Sequence, residues 1–415
     1  MNDVSLNKKV PLWPLWVLFF TSTDTLLFGT NANEIFLYVP RIIGLCIFLF
    51  LPFFLHKTVM INRKTIIAFI LVVIATFSAF VNKMEFPTIV SRIISILVAY
   101  SIAMYYEHKY YVAAFCKFIY FIATVAIITE AFAYIYPAIF NLFPTVTNTA
   151  DYSFSAFFIG SMRYDFLSNQ LIRAEGIFWE PGAFSIYIDI ALMYELFFKE
   201  TINTKRIIVY LVALVLTFST TGYIGFFSMA LVYILTKKTI NNKQFINKFV
   251  LCFVMLILIV GVIGFENSSV YEMVFGKIEN TESTAVTRYS SIVNGLEIAL
   301  NNPLLGVGSN KIRESIIQYS SNSSFGRNPM LTNTCVMQFA TFGMIFGIIY
   351  LVNTVKYFTK QNWNWLCRIG LLVTLMLLYC GETFYSFLPF IFVFYGSDNI
   401  KQEGADENCI NQFTS

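Results

Sequence analysis

The residues of this chain best suited to chemistry gather in two polar stretches. The first reads Leu171-Ile172-Arg173-Ala174-Glu175-Gly176-Ile177-Phe178-Trp179-Glu180-Pro181-Gly182 and runs straight into an apolar segment. Proline suits the first turn of a helix, so a helix is expected to open at Pro181. The free N–H groups and positive dipole end of that helix favour an anion nearby. Acidic neighbours also stabilise a helix start for its own sake. Charges at membrane depth are costly, however, and usually serve function. The second stretch holds Thr284-Ala285-Val286-Thr287-Arg288-Tyr289, then Asn301-Asn302-Pro303-Leu304-Leu305-Gly306-Val307-Gly308-Ser309-Asn310. Pro303 to Gly308 reads first as a turn, and a bare GxG is too weak to claim a nucleotide site. Glycine also permits close approach of backbone to a ligand.

Arg163, Arg173, Arg288, Lys311, Arg313 and Arg327 could together line a cavity for a phosphate-bearing substrate, because guanidinium forks match phosphate oxygens. For Lys311 and Arg313, a solvated loop face balanced by Glu266, Glu272, Glu279, Glu282, Glu297 and Glu314 is an equal alternative. The chain has two histidines, His56 and His108, away from both stretches, so a general base there must be a carboxylate. Seven scattered cysteines with no CxxC pair suggest neither a disulfide framework nor a metal site. Positioning and arginine electrostatics are what remain for catalysis.

These residues need a scaffold, and the composition says which kind. The 415 residues are 57% hydrophobic and 13% charged, with 45 phenylalanines and a mean hydropathy of +0.67. An ordinary globular chain carries about 25% charged residues. Disorder, a coiled coil and a nucleic-acid-binding domain are excluded. The expected fold is all-α, a polytopic transmembrane helical bundle. Crossing the hydrocarbon takes about 20 mostly apolar residues, which places spans near 10–29, 34–55, 65–82, 87–106, 110–136, 181–199, 206–219, 222–236, 247–265, 331–352, 366–383 and 384–397. That is about twelve, or ten to eleven if the short abutting pairs merge. The first is read as an uncleaved span rather than a signal peptide, since it continues to about Phe28 and lacks a small-residue cleavage site.

Lysine and arginine placement orients the bundle. With the N-terminus inside, the inner segments hold seventeen basic residues while the short outer loops hold only Lys83. Both termini are then cytoplasmic, including the tail 398–415, and two long loops, 137–180 and 266–330, lie outside with short helices in them. Val286, Tyr289, Val293, Leu296 and Leu300 recur at helical spacing, which predicts a helix resting on the membrane surface. Within the spans stand Arg41, Arg92, Lys117, Glu130, Asp189, Glu195 and Glu382. Arg92 and Lys117 are near enough to span ends to snorkel, and the others are expected to pair or to serve the site. No internal repeat emerges, which leans away from a carrier.

In this order the features resemble the O-antigen polymerase and ligase superfamily of bacterial envelope glycosyltransferases. The resemblance rests on Arg173-Ala174-Glu175-Gly176 with Glu180-Pro181-Gly182, then Phe218-Ser219-Thr220-Thr221-Gly222. It continues with Arg288 followed by Asn302-Pro303-Leu304-Leu305-Gly306-Val307-Gly308, and with Asn333 through Gly343. It implies a GT-C-like fold in the bacterial inner membrane with a periplasmic active site, and a transferase using polyprenyl-pyrophosphate-linked sugars without nucleotide sugar, metal or other cofactor. Arg173 and Arg288 would stabilise the pyrophosphate leaving group, and Glu175 or Glu180 would deprotonate the acceptor hydroxyl. Arg163, Asn302, Gly306, Gly308, Arg313 and Arg327 would contact substrate. The implied partners are lipid-linked donor and acceptor, membrane lipids, a chain-length regulator and other polysaccharide-assembly proteins, with no nucleic acid.

The ligase branch typically presents a histidine just before the span that begins here near Leu331. This chain has Arg327-Asn328-Pro329-Met330 instead, which favours the polymerase. The rival from another class is a transporter such as a lipid-linked oligosaccharide flippase. Convergence of Arg173, Arg288 and Glu180 on one cavity favours the enzyme. A central channel lined by Arg41, Lys117, Glu130 and Asp189 favours the transporter.

Overall fold

The computed structural model describes residues 10–29, 34–57, 61–148, 151–168, 172–199, 201–237, 248, 250–252, 254–255, 284–320 and 331–398. The expected span 247–265, Arg327 and the tail beyond Asp398 thus lie largely or wholly outside the described residues. Helices dominate, as the hydropathy profile requires. Arg63–Val81, Phe86–Tyr105, His108–Ile135 and Pro181–Phe198 are each long and apolar enough to cross a membrane. Tyr38–Phe54, Thr220–Thr236, Met344–Thr359 and Trp365–Tyr379 are shorter apolar helices. This is the architecture of a multi-pass helical membrane protein. Polar side chains set where the helices begin: Asn62, Asn203, Asn333 and Asn364 each accept a backbone N–H three residues on.

Several expected spans are broken. The segment 10–29 divides into helices Trp13–Phe20 and Leu26–Gly29, with Asp24 in the gap fully buried. Residues 331–352 form Thr334–Phe342 and Met344–Thr359 rather than one helix. Gly343 makes the break at φ 88°, a conformation that only glycine takes readily. A Cβ there would sit 2.6 Å from the Leu304 carbonyl. The abutting pair 366–383 and 384–397, by contrast, stays two helices, Trp365–Tyr379 and Leu388–Gly396, joined by a non-helical link.

The first long loop is not purely helical. Thr145–Thr147, Ser153–Phe157 and Gly160–Arg163 pair as a three-stranded antiparallel sheet. Register runs Val146 to Phe154 and Phe154 to Arg163. These strands are three to five residues long, too short for the alternation of period two to stand out in the sequence.

In the second loop the helix Thr284–Asn301 forms as expected. Ser290, Ser291, Asn294 and Ile298 are buried, while Tyr289, Leu296 and Leu300 are exposed. Small polar residues pack close to the bundle, and the large apolar ones turn outward. The stretch after this helix is held by backbone: Val307 N–H donates to Ala340 and Gly308 N–H to Thr341, at 3.0 and 3.1 Å.

Three charges inside the bundle have evident partners, whereas both carboxylate oxygens of Asp189 and one of Glu130 are buried without a hydrogen bond among the described residues. Arg92 does not snorkel but is buried 4.1 Å over the Tyr385 ring. Glu195 pairs with Lys199 at 2.7 Å and Arg206 at 3.4 Å. Asp24 accepts from the Tyr187 hydroxyl at 2.7 Å, from the Ser386 and Tyr385 N–H groups at 3.2 and 3.3 Å, and from the Ser386 hydroxyl. Beside it, Leu26 N–H donates to Ile177 at 2.8 Å, and Thr25 bridges Phe178. Asp24 thereby fastens the broken first helix to the helix begun at Pro181 and to the link after Tyr379, and its neighbours Thr25 and Leu26 hold the approach to Pro181 through backbone.

An unmet buried donor costs about 1–3 kcal/mol. Asp24→Leu should therefore abolish recovery of folded protein in mild detergent, and Asp24→Asn, which keeps one acceptor, should fall between it and wild type. Equal thermal unfolding of the leucine variant and wild type would show that this carboxylate holds nothing together.

Candidate functional site

A cavity of about 380 Å³ opens where five pieces of chain meet. Arg163 comes from the end of the sheet, Arg173 and Glu180 from the segment before Pro181, and Arg288 from the Thr284–Asn301 helix. Ser219, Thr220 and Thr221 come from a second helix start, and Cys380, Gly381 and Glu382 from the link after Tyr379. Two helix N-termini, at Pro181 and Thr220, thus border a space carrying three arginines and two carboxylates. Such ends present unpaired N–H groups and a partial positive charge.

Arg173 sits here because the chain break at Thr217–Ser219 needs it. The helix Thr204–Leu216 ends with Phe218 at φ 45°, a left-handed conformation uncommon for a bulky residue. Arg173 Nε donates to Thr217 O and its terminal nitrogen to Phe218 O, both at 3.0 Å. Ala174 N–H closes on Leu216 O at 2.9 Å. Burial works against the Arg173 charge, and the Glu180 carboxylate beside it works to keep it. Arg163 is already committed, forked onto Asp165 and stacked 3.7 Å over the Tyr152 ring. Arg288 is half-buried, and among the described residues no ion pair engages it. It is the cation most available to a ligand.

Glu180 precedes the helix with extended backbone, φ −162°, and its side chain makes no capping bond. Its carboxylate and that of Glu382 flank Gly182: a Cβ on that glycine would stand 3.2 Å from Glu180 Oε1 and 2.9 Å from Glu382 Oε1. Both acids therefore share the positive end of one helix. Ser185 and Ser219, 3.0 Å apart, join the two helix starts beneath them.

The structure brings Arg163, Arg173, Glu180 and Arg288 together and leaves Glu175, Asn302, Gly306, Gly308 and Arg313 apart; Arg327 lies outside the described residues. Glu175 is buried beside the cavity rather than in it, because Gly176 turns the chain at φ 59°. Burial pushes its carboxyl well above the usual range, against the pull of Arg163, so the neutral form is favoured and Glu175 is a poor base. Asn302 bonds back to Ile298 O at 3.0 Å. Gly306 and Gly308 pack against Ala340, Thr341 and Asn82, in the tight turn that their spacing first suggested. Arg313 is exposed on the helix Ile312–Ser320. Glu382 was visible only as an acid inside a span, and its place opposite Glu180 comes from tertiary packing. Ser219 to Thr221 could be seen as a polar interruption between two apolar runs.

An anion should bind here with unequal dependence on the arginines. Pyrophosphate should raise the thermal midpoint of the wild type in a salt-sensitive manner. Arg288→Ala should remove most of that shift, and Arg163→Ala, whose guanidinium Asp165 already occupies, should remove little. Equal effects of the two substitutions would contradict this division of labour.

Residues 207–352 match the family model described as O-antigen ligase. No curated protein matches the chain. The matched segment contributes Ser219, Thr220, Thr221, Ile224 and Arg288 to the cavity, while Arg163, Arg173, Glu180 and Glu382 come from outside it. That segment's likeness is to glycosyltransferase-like enzymes of the O-antigen ligase class. Residues 207–352, about a third of the chain, are thus similar to the O-antigen ligase family.

Proposed function

We propose that this protein is a surface-polysaccharide polymerase. It joins polyprenyl-pyrophosphate-linked oligosaccharide units at the periplasmic face of the inner membrane. The observation that carries the reading is the single cavity shared by Arg173, Arg288 and Glu180. The acceptor hydroxyl attacks the anomeric carbon of the donor, the bond from that carbon to the phosphate oxygen breaks, and pyrophosphate leaves with the electron pair. Arg288, Arg173 and the two helix N-termini stabilise the charge that develops. Glu180 takes the hydroxyl proton, and its position beside Arg173 keeps a cation near the departing phosphate.

Orientation follows from charge. The helices Pro181–Phe198, Thr220–Thr236 and Trp365–Tyr379 have, at their ends away from the cavity, Lys199, Lys237 and Arg368. Basic residues favour the cytoplasmic side, which supports a periplasmic cavity. The transporter reading has less behind it. Arg41 lies 5.2 Å over Tyr38, Lys117 is exposed, and Asp189 is wedged against Gly225. Among the described residues these do not gather along one channel.

The description of the matching family favours a second reading, a ligase that transfers polymer to the lipopolysaccharide core. Against it stands Arg327-Asn328-Pro329-Met330 where the ligase branch carries histidine. A glycan gel of the host without this gene separates the two. Core capped by a single repeat is expected, and bare core with accumulated lipid-linked polymer would establish the ligase instead. Restoring the gene as Arg288→Ala should leave long polymer reduced about 100-fold or more, the usual cost of one lost transition-state donor. Arg288→Lys, which keeps charge but loses the fork, should recover only part of it. Wild-type ladders from both variants would rule out a pyrophosphate-holding role.

A further inference from the structure

We infer that the lipid chain of the donor lies in the seam between helices Thr220–Thr236 and Trp365–Tyr379, entering the cavity between Ile224 and Leu377. The inference rests on the transferase reading, which supplies a donor with an anionic head and a long apolar tail.

The cavity wall points to this side. Of the residues that line it, Ile224 and Leu377 are the two exposed ones, at 46% and 38%, and both are purely apolar. Every charged or polar member is half-buried or buried. A ligand held by the arginines can therefore reach the hydrocarbon past these two side chains without crossing charge.

From that gap an apolar path continues down the bundle. The two helices run antiparallel in close contact, with four rungs. Thr221 meets Gly381, Gly225 meets Leu378, the Ser228 and Thr374 hydroxyls lie 2.8 Å apart, and Val232 meets Gly370. Gly370 lets Val232 pack directly against it, and Ser228 and Thr374 are small, so the two helices approach closely along the seam. Leu231 and Leu235 flank it on one helix, and Val373 and Ile369 on the other, all exposed. At 1.5 Å per residue the 17-residue Thr220–Thr236 helix gives a track of about 25 Å, close to the roughly 30 Å of hydrocarbon. Exposed apolar faces occur elsewhere, such as Phe69, Phe77 and Phe80 on Arg63–Val81, but none of these residues borders the cavity.

The test uses the full-length protein in phospholipid vesicles with a polyprenyl pyrophosphate that carries a diazirine midway along its chain. Photolysis should label the peptides holding Leu231 and Val373, and excess unlabelled polyprenyl pyrophosphate should suppress the labelling. Arg288→Ala, which frees the head, should suppress it as well. Label spread evenly over the Leu231, Val373 and Phe77 faces would mean that bulk lipid covers the seam, and label concentrated on another face would place the tail there; either result overturns the inference.

A second measurement separates this failure from failure of the transferase reading. With Leu231→Trp and Val373→Trp together, the preference for a full-length over a two-isoprene donor should fall about tenfold, as expected for lost apolar contact. Phe77→Trp should leave that preference unchanged. An unchanged preference in the seam variant, with transfer still dependent on Arg288, would sink the seam and keep the transferase. Transfer independent of Arg288 would remove the reading on which the seam stands.

Discussion

A helix broken inside an apolar bundle exposes backbone groups that lipid cannot satisfy, and this structure is organised around meeting that demand. Each bare N–H or C=O in hydrocarbon costs several kcal/mol, so every break must be closed by a polar side chain or by neighbouring backbone. Arg173 closes the break after Leu216 by taking the carbonyls of Thr217 and Phe218. Asp24 closes the link before Leu388 by accepting N–H groups of Tyr385 and Ser386. Backbone of Pro303 to Gly308 closes the break at Gly343, with Met344 N–H on Pro303 O at 2.7 Å. Two of these three breaks thus place a fixed charge inside the bundle, and the third is closed by backbone alone.

The site grows out of the same demand. Helix starts at Pro181 and Thr220 leave N–H groups aimed into one space, and the link after Tyr379 delivers Glu382 to it. Arg173 serves two ends, since the fork that caps Thr217 and Phe218 also lines the cavity. Its removal is expected to disturb the helix break along with any ligand. Arg288 comes from a loop helix that the bundle grips through Ser291, Asn294 and Ile298, so its charge is separable from the scaffold. Glu180 keeps its carboxylate free of capping, next to the Arg173 guanidinium. A preset arrangement of this kind stabilises developing negative charge without reorganising in the reaction.

Much of this was legible in the sequence, and what was missed follows a pattern. Long apolar runs announced the helices from Arg63 to Ile135 nearly to the residue, because length and hydropathy set them without tertiary help. The break at Gly343 falls within a run with no polar cluster to mark it, whereas Thr21-Ser22-Thr23-Asp24-Thr25 is a polar interruption that does mark the break at Asp24. Arg173, Glu180 and Arg288 stood out as charges at a membrane lip. Glu175 carried the same signal and went elsewhere, because one left-handed residue, Gly176, turns it inward. The helix carrying Arg288 was foreseen with its apolar side toward the membrane, but the small polar residues Ser290, Ser291 and Asn294 that it buries were not singled out. Hydropathy assigns large apolar residues to the interior, whereas in a membrane they can face lipid while serine, asparagine and glycine pack tightly. Glu382 met Glu180 only through the fold.

The central claim is that this cavity holds an anionic, lipid-borne leaving group, and the most direct measurement is a structure of the protein with polyprenyl pyrophosphate bound. The account predicts the two phosphates between Arg288 and the helix starts at Pro181 and Thr220, within hydrogen-bonding reach of Arg173. Phosphates seated instead on the exposed face around Lys311 and Arg313, with the cavity unchanged, would contradict it.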